Sequence, residues 1–437
     1  MTRTRVAFFT DTFQEINGVA LTGRQFTDFA RRQQLPFLCI RGGPETRTTR
    51  EGLVTHVELK RGPLAFALDH NLSYDAALWR HARRVETELR AFQPDIIHIV
   101  SPGDVSSIGA YLAWRLKVPL AISWHTNLHE FAAMRLERVL WWLPEIARRG
   151  TSRLSESETL RACLAFYRLG KVLFAPNPEL VRMLGEGTGR PVFLMKRGID
   201  AELFHPGRRT VNDGVLRLGY VGRITPEKSV RFLKKLESAL QAAGAPPFRF
   251  LVVGDGADRE WLAENLDCAE MPGIHRGEDL ARDYANMDVF TFPSRTDTFG
   301  NVVLEAFASG VPAVVTDAGG PRFIVNDGVS GFVAGTETEF IERTARLLND
   351  AALRSKMARA AREQALGESW DDVFRRVYEG YETVLPPNGT SGGSRVCADA
   401  PPDTAIAAFT CYSTGRIRLV TNHAWLSTPL PLAGWNE

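Results

Sequence analysis

The chain has 437 residues, more than one hydrophobic core usually sustains, so its length predicts two domains of about 150 to 200 residues each. Hydrophobic residues make up 44% of the sequence and charged residues 24%, a composition that excludes a fibrous, collagen-like or wholly disordered chain. With 53 lysines and arginines against 51 acidic residues, the net charge of +2 argues against nucleic acid as a partner.

The cysteines and the N-terminus bear on the cellular compartment. Five cysteines are scattered without a Cys-x-x-Cys pair, which predicts a reduced, cytoplasmic protein that binds no zinc. The apolar run at residues 6–9 is interrupted by Asp11 and is too short for a signal peptide. No run approaches the roughly 20 apolar residues of a membrane span, so we expect neither classical secretion nor an integral membrane protein.

Short apolar runs alternate with longer amphipathic stretches, a pattern typical of βαβ units and a largely parallel sheet. In chain order, the first series of predicted strands is 6–10, 37–40, 96–100, 120–123, 172–175 and 192–195. The second series is 216–221, 248–253, 289–292 and 313–316, and helices are predicted at 230–243 and 339–349.

The composition changes at two places in the chain. Residues 204–214 carry Pro, Gly and charged residues, which suits a linker, and residues 386–394 have a flexible linker composition. The sequence therefore predicts an α/β protein with two doubly wound domains facing across a cleft, where ligands of such sheets bind. The predicted parts are an N-terminal domain at 1–203, a C-terminal domain at 204–385 and a low-order appendix at 386–437. The last helix of the C-terminal domain is expected to cross back to the N-terminal domain.

The segment 294–312 carries the most chemical information. A polar turn follows the predicted strand at 289–292, and a helix begins near Gly300, where free backbone N–H groups suit a phosphate. Asp297 lies in the turn and Glu305 lies about one and a half turns inside the helix, so both carboxylates can face one ligand. Alternatively, Asp297 only caps the helix and Glu305 is a solvated helix residue.

Arg223 and Lys228 leave the carboxyl end of the predicted strand at 216–221 together. An arginine fork and a lysine point charge form a combination that neutralises a diphosphate, although a solvated helix start is the alternative. Gly254 follows a neighbouring strand, but the third glycine of a dinucleotide fingerprint is absent, so that signal is weak.

The N-terminal half contributes two candidate residues. Gly18, after the first strand, would let the backbone approach a ligand closely, and an ordinary strand–helix turn is the alternative. His125 ends another strand at the same edge, with a structural hydrogen-bonding role as its alternative. The chain contains no Asp-x-Asp pair to hold a divalent ion on a diphosphate, and neither a phosphate loop nor a nucleophile elbow.

Together these segments resemble the retaining glycosyltransferases of family 4 over residues 6–385. The resemblance rests on Asp297 and Glu305 followed by Ala-x-Ala-Ser-Gly-x-Pro, and it is supported by Arg223 with Lys228, Asn17-Gly18-Val19, His125 and Gly319-Gly320-Pro321. It implies the GT-B architecture of two facing Rossmann-like domains and a hexosyltransferase that needs no metal or other cofactor. Within the family, these motifs most resemble those of mannosyl- and glucosyltransferases that act on lipid or glycolipid acceptors.

Site roles follow from the resemblance, position by position. The residues implied to bind the donor diphosphate are Gly18, Arg223, Lys228 and Gly300. The residues implied to hold the ribose and the transferred sugar are Glu305, Asp297 and His125, and those near the base are Gly254 and Arg276. The expected catalytic set is His125, Arg223, Lys228 and Asp297. Asp297 stands where the family more often has Glu, and one methylene less shifts the carboxylate.

The resemblance also implies the partners. The donor would be a nucleotide-diphosphate sugar of the GDP-mannose or UDP-glucose type, and the acceptor a hydroxyl of a lipid, glycolipid or glycan. Residues 134–149 place Trp141 and Trp142 among arginines, which predicts peripheral contact with an anionic membrane at the inner face of the plasma membrane, core packing being the alternative.

The alternative functions are a nucleotide-sugar epimerase of the same architecture and a catalytically degenerate nucleotide-sugar-binding protein. The incomplete glycine fingerprint disfavours a nicotinamide dehydrogenase.

Overall fold

The computed structural model describes residues 4–15, 17–62, 65–69, 72–125 and 157–386. The predicted membrane-contacting segment at 134–149 lies outside these residues, as does the predicted appendix apart from residue 386. The strands are β1 (Val6–Thr10), β2 (Phe37–Gly43), β3 (Arg47–Glu51), β4 (Val54–Lys60), β5 (Phe66–Asp69), β6 (Leu72–Tyr74), β7 (Ile96–Ile99), β8 (Leu120–Ser123), β9 (Val172–Ala175), β10 (Val192–Leu194), β11 (Leu216–Val221), β12 (Phe248–Val253), β13 (Ala269–Gly273), β14 (Val289–Phe292), β15 (Ala313–Thr316) and β16 (Gly331–Ala334).

Within the described residues the strands form two large sheets and one small hairpin. The first sheet has the order β10-β9-β8-β7-β1-β2-β4-β3, in which only β3 runs antiparallel to its neighbour. The second sheet has the order β13-β12-β11-β14-β15-β16 and is parallel throughout. In both sheets the chain starts at an inner strand and winds first to one side and then to the other, the doubly wound order.

Helices connect the strands and cover both sheets. They are α1 (Gly18–Arg32), α2 (Ala82–Phe92), α3 (Asp104–Leu116), α4 (Pro178–Thr188), α5 (Phe232–Ala242), α6 (Arg259–Asn265), α7 (Gly277–Asn286), α8 (Asn301–Ala308), α9 (Glu337–Asn349), α10 (Ala351–Leu366) and α11 (Trp370–Glu382). Residues 157–167 are also helical. Among the described residues, no helix is both long enough and apolar enough to cross a bilayer.

Local sequence explains where the helices of the site begin. The Asn17 side chain accepts a hydrogen bond from the Ala20 N–H and so caps α1. Asn177 caps α4 in the same way, and Pro178 follows at the first helical position, where its missing N–H removes no helical hydrogen bond. The starts of these two helices, which follow β1 and β9 of the first sheet, are therefore fixed by side chains close in sequence.

The last helix, α11, packs against the first sheet although it follows the second sheet in the chain. Phe374 stacks on Phe26 of α1 with ring centroids 4.4 Å apart. The Tyr381 hydroxyl is hydrogen-bonded to Nδ1 of His98 on β7, with 2.5 Å between the two atoms. Aromatic packing and this buried polar contact therefore attach the end of the described chain to the N-terminal core.

Residues 204–214, predicted as a linker, are hydrogen-bonded to residues from the end of α7 to the start of β14 in the second sheet. The Arg209 guanidinium donates to the Met287 carbonyl at 3.2 Å and pairs with Asp288 at 3.1 Å. The backbone N–H of Thr210 donates to the Asn286 side chain at 2.9 Å. The segment is therefore irregular in secondary structure but held by specific hydrogen bonds.

Candidate active site

The carboxyl end of β11 holds the two predicted cations in different environments. Lys228 lies in a short 3-10 helix at Pro226–Lys228, and its side chain is only 10% exposed. Arg223 is 38% exposed and lies 3.6 Å from the Glu227 carboxylate. The Tyr220 hydroxyl donates to the Arg223 carbonyl at 2.7 Å, which fixes the backbone of the turn that carries the arginine.

Lys228 forms an ion pair with Asp297, with 2.8 Å between Nζ and Oδ2. The Ser294 hydroxyl donates to the same carboxylate oxygen. Burial alone would raise the pKa of Asp297, but the Lys228 charge and the two hydrogen bonds outweigh burial and hold this pKa below its usual range. Two predicted residues that lie 69 positions apart are thus joined as a charged pair.

Two glycines support the loop that carries Asp297. The Gly320 N–H donates to the Asp297 carbonyl at 2.6 Å, and a Cβ added at Gly320 would lie 2.2 Å from the Thr298 carbonyl oxygen. Gly300 adopts a φ of +97° directly before α8, a conformation that favours glycine. The close approach of these backbones fixes the position of Asp297 and aims the N-terminal end of α8 at the same region.

Glu305 lies on α8 and receives a hydrogen bond from a buried tyrosine. The Tyr284 hydroxyl donates to Glu305 Oε2 at 2.7 Å. Burial raises the pKa of Glu305, and the Tyr284 hydrogen bond opposes that rise only in part. The tyrosine holds one carboxylate oxygen in a defined direction.

The N-terminal half brings Gly18 to the start of α8. A Cβ added at Gly18 would lie 3.4 Å from the Asn301 side-chain nitrogen. Because Gly18 is the first residue of α1 and Asn301 the first of α8, two helix N-termini lie close together here. Each terminus presents free N–H groups and the positive end of a helix dipole, so the space beside them favours an anion.

His125 follows β8 and is tied to both halves of the site. Its Nδ1 lies 2.9 Å from Nη2 of Arg197, and its carbonyl accepts a hydrogen bond from the Thr298 hydroxyl at 2.9 Å. The Asn177 amide in turn donates to the Thr298 carbonyl at 2.7 Å. Burial first, then the charges of Arg197 and His98, lower the pKa of His125 well below its usual range.

The structure does not join every predicted residue to this cluster. Gly254 lies at the same edge, but an added Cβ would be 1.9 Å from the Gly222 carbonyl oxygen, so its small size serves the close passage of two backbones. Arg276 is exposed at the start of α7. Among the described residues, no hydrogen bond or ion pair links either of them to Asp297 or Lys228.

The site also contains residues that the sequence analysis missed. Those that hold or orient predicted residues are Asn177, Arg197, Tyr220, Tyr284 and Ser294. Only Ser294, three positions before Asp297 and opening the same motif, had a local signal in the sequence. Within the described residues, no group of three or more His, Cys, Asp or Glu side chains is arranged to hold a metal ion.

Comparison with known proteins matches both halves of the chain to families. Residues 30–203 match the model of Glycosyltransferase Family 4, and residues 216–350 match that of Glycosyl transferases group 1. A GDP-mannose-dependent alpha-mannosyltransferase of Mycobacterium tuberculosis is 33% identical over 69% of this chain and 76% of its own length. A protein of the same name from Mycolicibacterium smegmatis is 30% identical over 87% of this chain and 98% of its own length.

Two solved structures illustrate the similarity of fold. Sucrose-phosphate synthase from Thermosynechococcus elongatus matches with a TM-score of 0.66 at 17% identity, over 87% of this chain and 99% of that one. The catalytic domain of Starch Synthase IV from Arabidopsis thaliana matches with a TM-score of 0.64 at 14% identity, over the same shares of the two chains. At such identities the likeness concerns the fold alone.

Proposed function

The chain belongs to glycosyltransferase family 4, and from that premise we propose that it transfers mannose from GDP-mannose to a hydroxyl of a lipid or glycolipid. The predicted family and the predicted GT-B fold with two Rossmann-like domains are both confirmed. The protein is accordingly an enzyme, a hexosyltransferase that uses a nucleotide sugar. The choice of mannose and of GDP rests on the activity named for the two bacterial relatives.

The observation that carries the proposal is the convergence of positive groups at one edge of the molecule. Lys228 is buried beside Asp297, and the N-termini of α1 and α8 lie close together at Gly18 and Asn301. A diphosphate carries the negative charge that this arrangement favours, and Arg223 at the same strand end supplies a second, partly exposed cation.

The other predicted residues have roles in this proposal that match their surroundings. Asp297 is ionised, so its carboxylate accepts hydrogen bonds from hydroxyls of the transferred sugar. Glu305 would accept a hydrogen bond from the ribose while Tyr284 holds its other side. His125 would contact the sugar from the N-terminal half, and the region of Gly254 and Arg276 would accommodate the base.

The proposed chemistry retains the anomeric configuration and needs no metal. The bond between the anomeric carbon and the diphosphate oxygen breaks as a bond to the acceptor oxygen forms on the same face, and the acceptor proton passes to the departing phosphate oxygen. Lys228, Arg223 and the helix ends stabilise the charge that develops on the diphosphate. Contacts across the cleft, such as Thr298 to His125, would help to exclude water that could hydrolyse the donor.

A thermal-shift panel tests the donor and the metal independence. GDP-mannose should raise the melting temperature more than UDP-glucose, because a ligand that binds only the folded state stabilises it. Adding magnesium or EDTA should leave the shift unchanged. Stabilisation by UDP-glucose alone would overturn the donor choice, and a shift that requires magnesium would contradict metal-free binding.

Product analysis separates the proposed transferase from the alternatives. A transferase releases GDP only when an acceptor is present, whereas an epimerase changes the sugar without releasing GDP. A degenerate binding protein would bind the donor and do neither. The relatives reported above are named as transferases, which favours transfer over epimerisation.

The proposed acceptor is a lipid, so we also propose peripheral contact with an anionic membrane. Support comes from the sequence of residues 134–149, where Trp141 and Trp142 lie among arginines. Sedimentation with vesicles tests this contact. Co-sedimentation with phosphatidylglycerol vesicles but not with phosphatidylcholine vesicles is expected, and equal recovery with both would contradict it.

A further inference from the structure

We propose that Arg197 is a positioning residue that holds His125 as a neutral imidazole with its proton on Nε2. The inference rests on the proposed function, because it gives His125 one defined task at the transferred sugar. Arg197 follows β10 in the N-terminal half and belongs to none of the motifs that identify the family resemblance.

The hydrogen bond between the Arg197 and His125 side chains can run in only one direction. Nη2 of Arg197 lies 2.9 Å from Nδ1 of His125. A guanidinium group has only donors, so Nδ1 must be the acceptor and cannot carry a proton. In a neutral imidazole the proton is then on Nε2, and the tautomer is determined by the neighbouring arginine.

The Arg197 guanidinium is held in place by backbone carbonyls and by an aromatic ring. Nη1 of Arg197 donates to the carbonyls of Met195 and Lys196, at 2.8 and 3.1 Å. The guanidinium also lies over the Phe299 ring, 5.7 Å from its centroid. Arg197 is 4% exposed, and no carboxylate among the described residues pairs with it. An arginine buried without an acidic partner is costly, which points to a role beyond stability.

The surroundings of His125 disfavour a positive charge on its ring. Among the described residues, the charged or titratable groups near it are Arg197 and, from β7, His98. His98 is itself buried, with a pKa lowered to about 3, and is hydrogen-bonded to Ser123 and Tyr381, so it is neutral. If Nδ1 of His125 carried a proton, its N–H would point at an N–H of the Arg197 guanidinium, and two donors would be opposed. Burial and the Arg197 guanidinium therefore both favour the neutral form of His125.

The second ring nitrogen of His125, Nε2, can donate a hydrogen bond to a ligand. Nε2 of His125 is buried and has no hydrogen-bond partner among the described residues. The His125 carbonyl is bonded to Thr298, the residue that follows Asp297. The Nε2–H of His125 can donate a hydrogen bond to one hydroxyl of the sugar, and the ionised Asp297 carboxylate can accept a hydrogen bond from a neighbouring hydroxyl. We therefore assign to His125 the donation of one hydrogen bond from a neutral imidazole to the transferred sugar.

A pair of His125 variants tests which nitrogen matters. The amide nitrogen of Gln lies near the position of Nε2, whereas that of Asn lies near Nδ1. His125→Gln should keep kcat within about tenfold of wild type, and His125→Asn should lose about 100-fold or more, the difference expected when a buried polar group is left unpaired. The reverse order of the two variants would overturn the proposal.

A double-mutant cycle tests whether Arg197 acts through His125. Arg197→Met should lower kcat by about 10- to 100-fold with the donor KM nearly unchanged. In the His125→Gln background the same substitution should lower kcat by less than about threefold, because glutamine has no tautomer for Arg197 to select. Arg197→Lys, which keeps a cationic donor, should restore most of the activity. An equal loss from Arg197→Met in both backgrounds would overturn the proposal.

A spectroscopic measurement keeps the proposal testable even if Arg197→Met does not fold. Long-range proton–nitrogen correlation spectra of the wild-type protein with labelled histidine report which imidazole nitrogen is protonated, and the signal missing in His125→Gln identifies His125. A proton on Nε2 is expected, and a proton on Nδ1 would overturn the proposal. This result does not depend on the donor, so failure of the proposed function would be recognised separately by the absence of transfer.

Discussion

We predict that replacement of Lys228 by Met affects both catalysis and stability, for separate physical reasons. The substitution leaves the Asp297 carboxylate without its partner at 2.8 Å, while that side chain is only 23% exposed. Breaking a buried pair destabilises by about 3–5 kcal/mol, and the partial exposure of Asp297 together with the remaining Ser294 hydrogen bond reduces this to about 2–3 kcal/mol. Loss of a cation that stabilises developing charge lowers kcat by about 100- to 1000-fold.

The double variant Lys228→Met with Asp297→Asn separates the two effects. Removal of the unpaired carboxylate should recover most of the lost unfolding free energy, measured by urea denaturation, but none of the lost kcat, measured by GDP release. Asp297→Asn alone supplies the reference for the loss of the carboxylate. Turnover near wild type in Lys228→Met would refute the role of the cation, and unchanged stability would refute the ion pair.

Three further predictions follow from the same contacts. Tyr284→Phe removes the hydrogen bond to Glu305 and should raise the donor KM about 5- to 10-fold with little change in kcat, and an unchanged KM in steady-state kinetics would contradict this. Gly18→Ala should keep the wild-type melting temperature, since the new methyl group lies 3.4 Å from Asn301, yet raise the donor KM more than about tenfold by occupying space beside the diphosphate; tight donor binding by this variant would contradict the placement. His98, with a folded pKa of about 3 against an ordinary 6.5, binds a proton only on unfolding, so unfolding free energy should fall by about 1.4 kcal/mol per pH unit below pH 6.5. Urea denaturation should give a smaller fall in His98→Gln, and an equal fall would contradict the assignment.

The sequence was sufficient for every inner strand of the two sheets except β4, and each predicted strand is present within the described residues. The reason is burial on both faces, which makes strands such as β1, β14 and β15 short continuous apolar runs. The strands that were not predicted are β3, β4, β5, β6, β13 and β16. β3 at one edge is polar and largely exposed, and β13 at another edge contains Pro272, so neither has an apolar run to detect.

The sequence also predicted the core of the candidate site but not its supports. Lys228 and Asp297 were expected at one edge because both follow parallel strands, and the structure pairs them. Tyr284 and Arg197 could not be expected, since their roles come from contacts with residues 21 and 72 positions away. Gly254 illustrates the opposite case, because its local motif suggests a ligand whereas its close contact with Gly222 gives a structural reason for the glycine.

Transfer of mannose with retention is the central claim, and proton NMR of the product tests it most directly. The enzyme is incubated with GDP-mannose and a glycolipid acceptor, and the configuration of the new anomeric centre is read beside the amount of GDP released. We expect an α-mannoside formed in equal amount to GDP, and we expect Lys228→Met to form both products about 100- to 1000-fold more slowly. A β-linked product, or GDP released without transfer to the acceptor, would contradict it.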